Sequence, residues 1–258
     1  MSRIINAFDG LLLAMNKVPG VRFVELLGRN PDIDTGTVPE TIWPAGGAYS
    51  FRSAAAICEC VSDSVEDDLL TAGLVAGTGC HVITIEGLDA NYDEVTEDIT
   101  LNGTAAVDGA VLFLRINQVS VKTVGTGGTN AGNITIRDNG AGTTRAYIGA
   151  ARGHSEMAVY TVPADHTLLL AGWYLAARDS TGASFADIDV RERHNAIAGA
   201  WHVAWSVAVE KVFGSPFALI PHPFTEKTDI EVRATSVIAN NTVVDWHGHA
   251  VLMGPNAV

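Results

Sequence analysis

Lysine is nearly missing from this chain of 258 residues: Lys17, Lys122, Lys211 and Lys227 are the only four. Basic residues total 16 against 29 acidic ones, a formal net charge of −13, and charged residues make up only 17% of the chain. A protein of that balance repels a phosphate backbone, and no basic stretch with interleaved aromatics offsets it. Nucleic-acid binding through overall electrostatics is thereby excluded. The one compact basic cluster, Arg191-Glu192-Arg193-His194, carries its own carboxylate and reads as a solvated strand end. Cysteine is as sparse. Cys58, Cys60 and Cys80 form an odd set without a CxxC pair, which argues against a secreted disulfide framework and for folding in a reducing cytoplasm. Cys58 and Cys60 stand two apart, on one face of any strand that holds them, and read as small buried hydrophobes. Long apolar runs are missing too. Leu11 to Met15 is short for a leader and Asp9-Gly10 interrupts it, and no run approaches the roughly 18 residues that span a bilayer, so no membrane partner is expected.

What is abundant is glycine, 26 residues, together with Thr, Val and Ala, a mixture suited to strands and tight turns. The length allows one large β domain or two small ones, with a full core and no need of disulfide or metal staples. Residues 1–42 differ from the rest. Ile4 to Lys17 has weak helical spacing that Pro19-Gly20 stops, Val21 to Leu27 has the length of a short strand, and Gly28 to Pro39 is a run of turn formers. The segment is expected to be an extended arm that orders on another surface, with a long loop packed on its own domain as the alternative. From Trp43 onward strand signals recur at short intervals. Cys80 to Glu86 alternates and Asp93 to Leu101 returns beside it, while Asp138-Asn139-Gly140-Ala141-Gly142 marks a hairpin between Asn133–Arg137 and Thr143–Ile148. Asp63 to Asp68 reads as an acidic loop or a short helical turn. The second half continues with Thr167 to Ala176, Ala186 to Arg193, Asp229 to Val237 and Thr242 to Met253. Trp201 to Val209 alternates most clearly, placing Trp201, Val203, Trp205, Val207 and Val209 on one core face. No βαβ rhythm appears. The expected fold is all-β, an antiparallel β-sandwich over residues 43–258 with a jelly roll as one form of it.

Chemistry-bearing patterns are incomplete. His247-Gly248-His249 puts two imidazoles on one strand face, as in cupin-type metal sites. A cupin adds a Glu shortly afterward and a later His, whereas here Ala250-Val251-Leu252-Met253 follow and a further ligand such as His222 would be distant. The pair is therefore read as a polar strand face, and no metal or cofactor is expected. Asp32-Ile33-Asp34-Thr35-Gly36 opens like a calcium loop but lacks the later acidic ligands. Gly153-His154-Ser155-Glu156-Met157 ends in Met where a nucleophile elbow needs Gly. Gly125 to Asn130 is Gly-rich without a following helix, and Asp187 with Asp189 is a common pairing on one strand. No catalytic residue is assigned, and the chain is not expected to be an enzyme.

Three patches carry a family resemblance. Asn30 to Gly36 with Glu40-Thr41-Ile42-Trp43 and Gly46-Gly47, Gly77 to Glu94 continuing to Thr104, and Met157 to Ala164 with Thr167 to Leu170 resemble virion structural proteins of tailed bacteriophages. The resemblance spans turns and strand edges over roughly residues 30 to 170 and carries no catalytic motif. It implies a β-sandwich component of the particle, assembled in the host bacterial cytoplasm, as a capsid decoration or cement protein. Its implied partners are the major capsid protein or other virion proteins and copies of itself, with a homotrimer favoured by analogy. A tail or neck protein that binds a receptor remains an alternative within the same resemblance. A jelly-roll enzyme acting on carbohydrate or through a metal is the alternative outside it.

Overall fold

The computed structural model describes residues 15, 17–69, 76–179, 185–215, 221–255 and 257, with the backbone alone at 212–215. The helical spacing of Ile4 to Lys17 lies almost wholly outside the described residues. In chain order the first strands are β1 (Val21–Ile33), β2 (Glu40–Thr41), β3 (Cys58–Ser62), β4 (Cys80–Leu88), β5 (Glu94–Thr100) and β6 (Val107–Asp108). Next come β7 (Arg115–Val124), β8 (Ile134–Asp138), β9 (Thr144–Ile148), β10 (Val159–Thr161), β11 (Thr167–Arg178) and β12 (Phe185–His194). The last are β13 (Trp201–Glu210), β14 (Val212–Ser215), β15 (His222–Phe224), β16 (Thr228–Val237) and β17 (Thr242–Met253). Among the described residues the only helical element is a single 3-10 turn, Asn195–Ile197, and no helix is long and apolar enough to cross a membrane.

These strands form four antiparallel sheets. Sheet I runs β1-β17-β11-β14 with β15 also on β11, and sheet II runs β10-β16-β12-β13 with β2 on β16. Sheet III is β6-β3-β8-β9 and sheet IV is β5-β4-β7. The all-β, antiparallel character expected from the sequence is what the structure shows. A sandwich or jelly roll is not clearly formed; the four sheets read as a four-bladed, propeller-like ring.

Apolar burial divides the chain into two cores. Sheets I and II supply the first, including Leu26, Leu168, Ile188, Val232 and Trp246, and sheets III and IV the second, including Ile83, Ile85, Phe113, Ile134 and Ile148. The chain passes from one to the other between Ile42, in the first core, and Trp43, in the second. It returns along Met157 to Tyr160, whose alternate side chains face different cores: Met157 and Val159 the second, Ala158 and Tyr160 the first. Entry and exit lie side by side, the Ala158 amide donating to the Ile42 carbonyl at 2.9 Å. Residues 43–157 are thus inserted between the strands of sheets I and II, and the expected unit at 43–258 spans both cores.

The described part of the expected arm, residues 17–42, is built into the first core. β1 pairs with β17 from Val21↔Met253 to Ile33↔Thr242 and buries Leu26 and Ile33. Its turn formers have strand-specific uses. A Cβ at Gly28 would lie 2.4 Å from that of Ala158, so the close approach requires glycine. Asn30 is buried, its amide donating to Glu40 and to the Thr41 carbonyl. Pro31 falls where the register with β17 shifts, the place in a strand where a missing N–H is tolerated.

The alternation of β13 is broken by one residue. Val190 pairs with Trp205 but Arg191 pairs with Val203, so Ala204 is an extra residue and the parity reverses there. Trp205, Val207 and Val209 face the first core as expected, whereas Val203 is 52% exposed and Trp201 turns to the opposite face. There the Arg191 and Arg193 guanidinium groups lie 4.2 and 4.8 Å from the Trp201 ring centroid. The expected solvated basic cluster is therefore engaged: Arg191 pairs with buried Glu231 and Arg193 with buried Asp229.

Asp229 also joins the two cores. It has no exposed surface, and Arg115 of β7 grips it with two parallel bonds, Nε to Oδ1 at 2.8 Å and NH2 to Oδ2 at 3.0 Å. Burial is the largest influence on its carboxyl and works to raise the pKa. The bonds and charge of Arg115, with Thr161 and Arg193, outweigh burial and hold it below the ordinary value.

Two outcomes are expected. Deleting residues 1–38 removes β1 from the first core and should abolish cooperative folding or lower the melting temperature sharply; a truncated chain that melts like the parent would show β1 to be dispensable. Asp229→Asn leaves two guanidinium groups without their anion and should cost about 3–5 kcal/mol in denaturant unfolding. Because the Asp229 pKa is depressed in the fold, its contribution is present above the unfolded-state value near pH ~4 and is lost as pH falls through the lower folded value. The variant should lack that part of the acid transition.

Candidate functional site

The outer face of sheet I concentrates the chemistry-bearing side chains. β17 alternates strictly, Val244, Trp246, Ala250 and Leu252 facing the core and Asp245, His247, His249 and Val251 facing outward. Gly248 is the inward residue between the two histidines, and a Cβ there would lie 2.6 Å from the Trp246 ring. The antiparallel register places Glu25 of β1 opposite His249 and Leu27 opposite His247. On the other side Gly172 of β11 faces His249 and Tyr174 faces His247, across a register shift at Leu170/Gly172.

The His247 and His249 ring centroids lie 4.4 Å apart, and His247 Nε2 is 3.8 Å from Glu25 Oε1. One donor atom from each of Glu25, His247 and His249 fits within a set no wider than 4.8 Å. Phe23 stacks on His249 at 5.8 Å and Tyr174 meets it edge-on at 5.9 Å. Burial lowers the His249 pKa from its ordinary value, the neighbouring His247 adds to the effect, and Glu25 opposes it. One register step away Asp245 is shared by Arg29, at 2.7 Å, and Arg178, an ion triple with one cation in excess. Glu25 borders a cleft of about 850 Å³ between β1 and sheet IV, which the Arg22–Glu94 ion pair crosses; His247 borders a second of about 390 Å³.

Sequence reasoning found the histidine pair but not Glu25. The only signal was that β1 and β17 each alternate, and nothing local says that they pair. His222, the distant residue a ligand set could have recruited, lies instead beside Glu192 at 3.7 Å and Trp205 at 4.6 Å. The other patterns resolve into architecture. Asp34 accepts from the Asn241 amide and fastens the end of β1 to the β16–β17 turn. Ser155 is buried, its hydroxyl accepting from the Val119 amide. The Gly-rich 125–130 segment lies on Thr78 and Gly79 through backbone bonds, and Asn130 spans Gly132 and Gly149. Asp189 bonds Ser206 and faces Arg233. In the 63–68 segment Asp67 is fully buried and accepts from Ser62, Cys80, Ala131 and Gly132, drawing three loops together.

No family model and no curated protein matches the chain. Among solved structures, that of the infectious bursal disease virus Gx strain is 10% identical over 94% of this chain and 77% of that one, with a TM-score of 0.20. The VP2 subviral particle of the same virus is 10% identical over 98% and 79%, with a TM-score of 0.18. At scores this low the aligned backbones do not share a demonstrated fold.

Cys58, Cys60 and Cys80 are free and fully buried in the second core. Burial raises all three thiols, Cys80 to about 12. They should therefore be inert to a thiol reagent at neutral pH in the native state and react together on unfolding. Fast labelling of any one in the folded protein would contradict this burial.

Proposed function

We propose that the chain is a structural protein of a tailed-phage virion, a capsid decoration or cement protein that works by binding and not by catalysis. The observation that carries the reading is β13. It ends sheet II, and among the described residues no strand pairs with its other edge. Trp201 to Ala208 contains no Asp, Glu, Lys or Arg, in a chain of net charge −13. Two other strands at sheet ends are guarded: β1 carries Arg22, Glu25, Arg29 and Asp32, and β5 carries Glu94, Glu97 and Asp98. Proteins that stay single protect such edges with charge, and an edge left open accepts a strand from a neighbour.

The three sequence patches that resemble phage structural proteins support the same reading. A decoration protein adds its binding free energy to the shell by recognising only the assembled lattice, and repeated sites make modest contacts sufficient. On this reading the partners are the major capsid protein and further copies of the chain, with a trimer fitting threefold positions of a shell, and the place of action is the virion.

The test has two parts. Quantitative mass spectrometry of purified particles should find the chain in numbers comparable with the coat protein, whereas the copy number of a single ring would assign it to neck or tail and overturn decoration. Val203→Lys places a charge on the open edge at an exposed position. The variant should melt like the parent yet lose about tenfold or more in particle co-sedimentation, in line with the cost of an unpaired charge at an interface. Undiminished binding by V203K would overturn β13 as the docking edge.

A further inference from the structure

We propose that Glu25, His247 and His249 hold one divalent transition-metal ion of the zinc class on the outer face of sheet I. The inference stands apart from the virion reading and rests on four observations. Two imidazoles and a carboxylate form the donor set that zinc takes with three protein ligands and an open fourth position. The backbone fixes their convergence: His247 and His249 are two apart on β17, and Glu25 is the cross-strand neighbour of His249. The three donor atoms already lie within 4.8 Å of one another. Tetrahedral zinc with bonds of about 2.0–2.1 Å requires neighbouring donors roughly 3.3 Å apart, a closure that a rotamer change of Glu25, whose side chain is 55% exposed, can supply. Finally, His247 Nε2 is screened from solvent yet has no hydrogen-bond partner, and it lies on the side of the ring nearest Glu25.

The neighbouring groups restrict the ligand set to these three. Asp245, the next outward residue on β17, is held by Arg29 and Arg178. Gly172, opposite His249 on β11, has no side chain and so supplies no further donor. Imidazole donors favour zinc, nickel or copper over calcium or magnesium, which take oxygen ligands. The ligands come from two strands far apart in sequence that meet only on folding, so the bound ion ties β1 to β17 and stabilises the native state. It acts as a clamp, with no substrate role assigned.

Chelator-stripped full-length protein titrated with zinc chloride by calorimetry should bind one ion per chain, and its melting temperature should rise with added zinc. His247→Ala, His249→Ala and Glu25→Gln should each weaken binding about tenfold or more, while His202→Ala, at an exposed histidine of β13, should not. The three side chains face outward, so the metal-free variants should melt like the metal-free parent, and E25Q preserves shape where an alanine would not. Cobalt(II) in place of zinc should give the visible absorption of a tetrahedral nitrogen–oxygen site, lost in H247A. No saturable binding to the parent, equal binding by the H247A/H249A double variant, or a cobalt spectrum indifferent to H247A would each overturn the proposal.

Discussion

A carboxylate buried alone between two apolar cores would be destabilising by several kcal/mol, and Asp229 is tolerable there only because a set of donors reaches it from both sides. Thr161 and Arg193 stand opposite it on the neighbouring strands β10 and β12, and both donate to it. Arg115 arrives from β7 in sheet IV and also donates to the carbonyls of Arg52 and Leu114, so one guanidinium fixes the entry segment of the second core. Phe51 lies 5.3 and 5.4 Å from the Arg115 and Arg193 guanidinium carbons. Two residues along β16, Glu231 repeats the device with Arg191 and the hydroxyl of Thr41, which in turn accepts from the Tyr49 amide. A purely apolar contact would allow the two cores to slide; paired guanidinium–carboxylate bonds are directional and allow one register.

That arrangement explains which parts of the fold were legible in the sequence. Strands that alternate on their own were: the β4–β5 pair, the β8–β9 hairpin around Gly140 and Ala141, and the limits of β17 all fall where local pattern and turn chemistry place them, whereas Gly28 to Ile33 of β1 reads locally as turn formers. The polar residues of β12 and β16 were not, since Arg191, Arg193, Asp229 and Glu231 look like an exposed strand face until a second core is set against them. The bulge at Ala204 was equally hidden. The residues from Trp201 to Val209 keep their alternation straight through it, and only the partner strand reveals that one residue is unpaired. Glu25 and the histidine pair are legible only as separate facts, because their meeting depends on the pairing of the first described strand with the last.

The fate of β1 changes how assembly can work. A free arm could exchange between subunits, but β1 has its backbone committed to β17 and its Leu26 and Ile33 committed to the first core. With Gly28 fitted against Ala158 and Asn30 buried on Glu40 and Thr41, the stretch from Gly28 to Asn30 cannot leave without disturbing the junction between the two cores.

On the proposed reading, association through backbone pairing uses an edge that folding leaves open, and β13 is the long end strand with the least charge, the uncharged β10 and β14 being only three and four residues long. The like-charge repulsion of a −13 chain keeps copies apart in solution wherever acidic strands face each other, as along β5. Along β13 that repulsion is reduced, because three charges of the adjoining β12 are met internally: Arg191 and Arg193 by Glu231 and Asp229, and Asp189 by Ser206 and Arg233. The internal pairing that holds the two cores in register thus lies beside a stretch, Trp201 to Ala208, that carries no formal charge of its own. If β13 is the docking edge proposed above, fold and assembly share one constraint: a substitution that frees Arg191 or Arg193 would weaken the junction and charge that edge together.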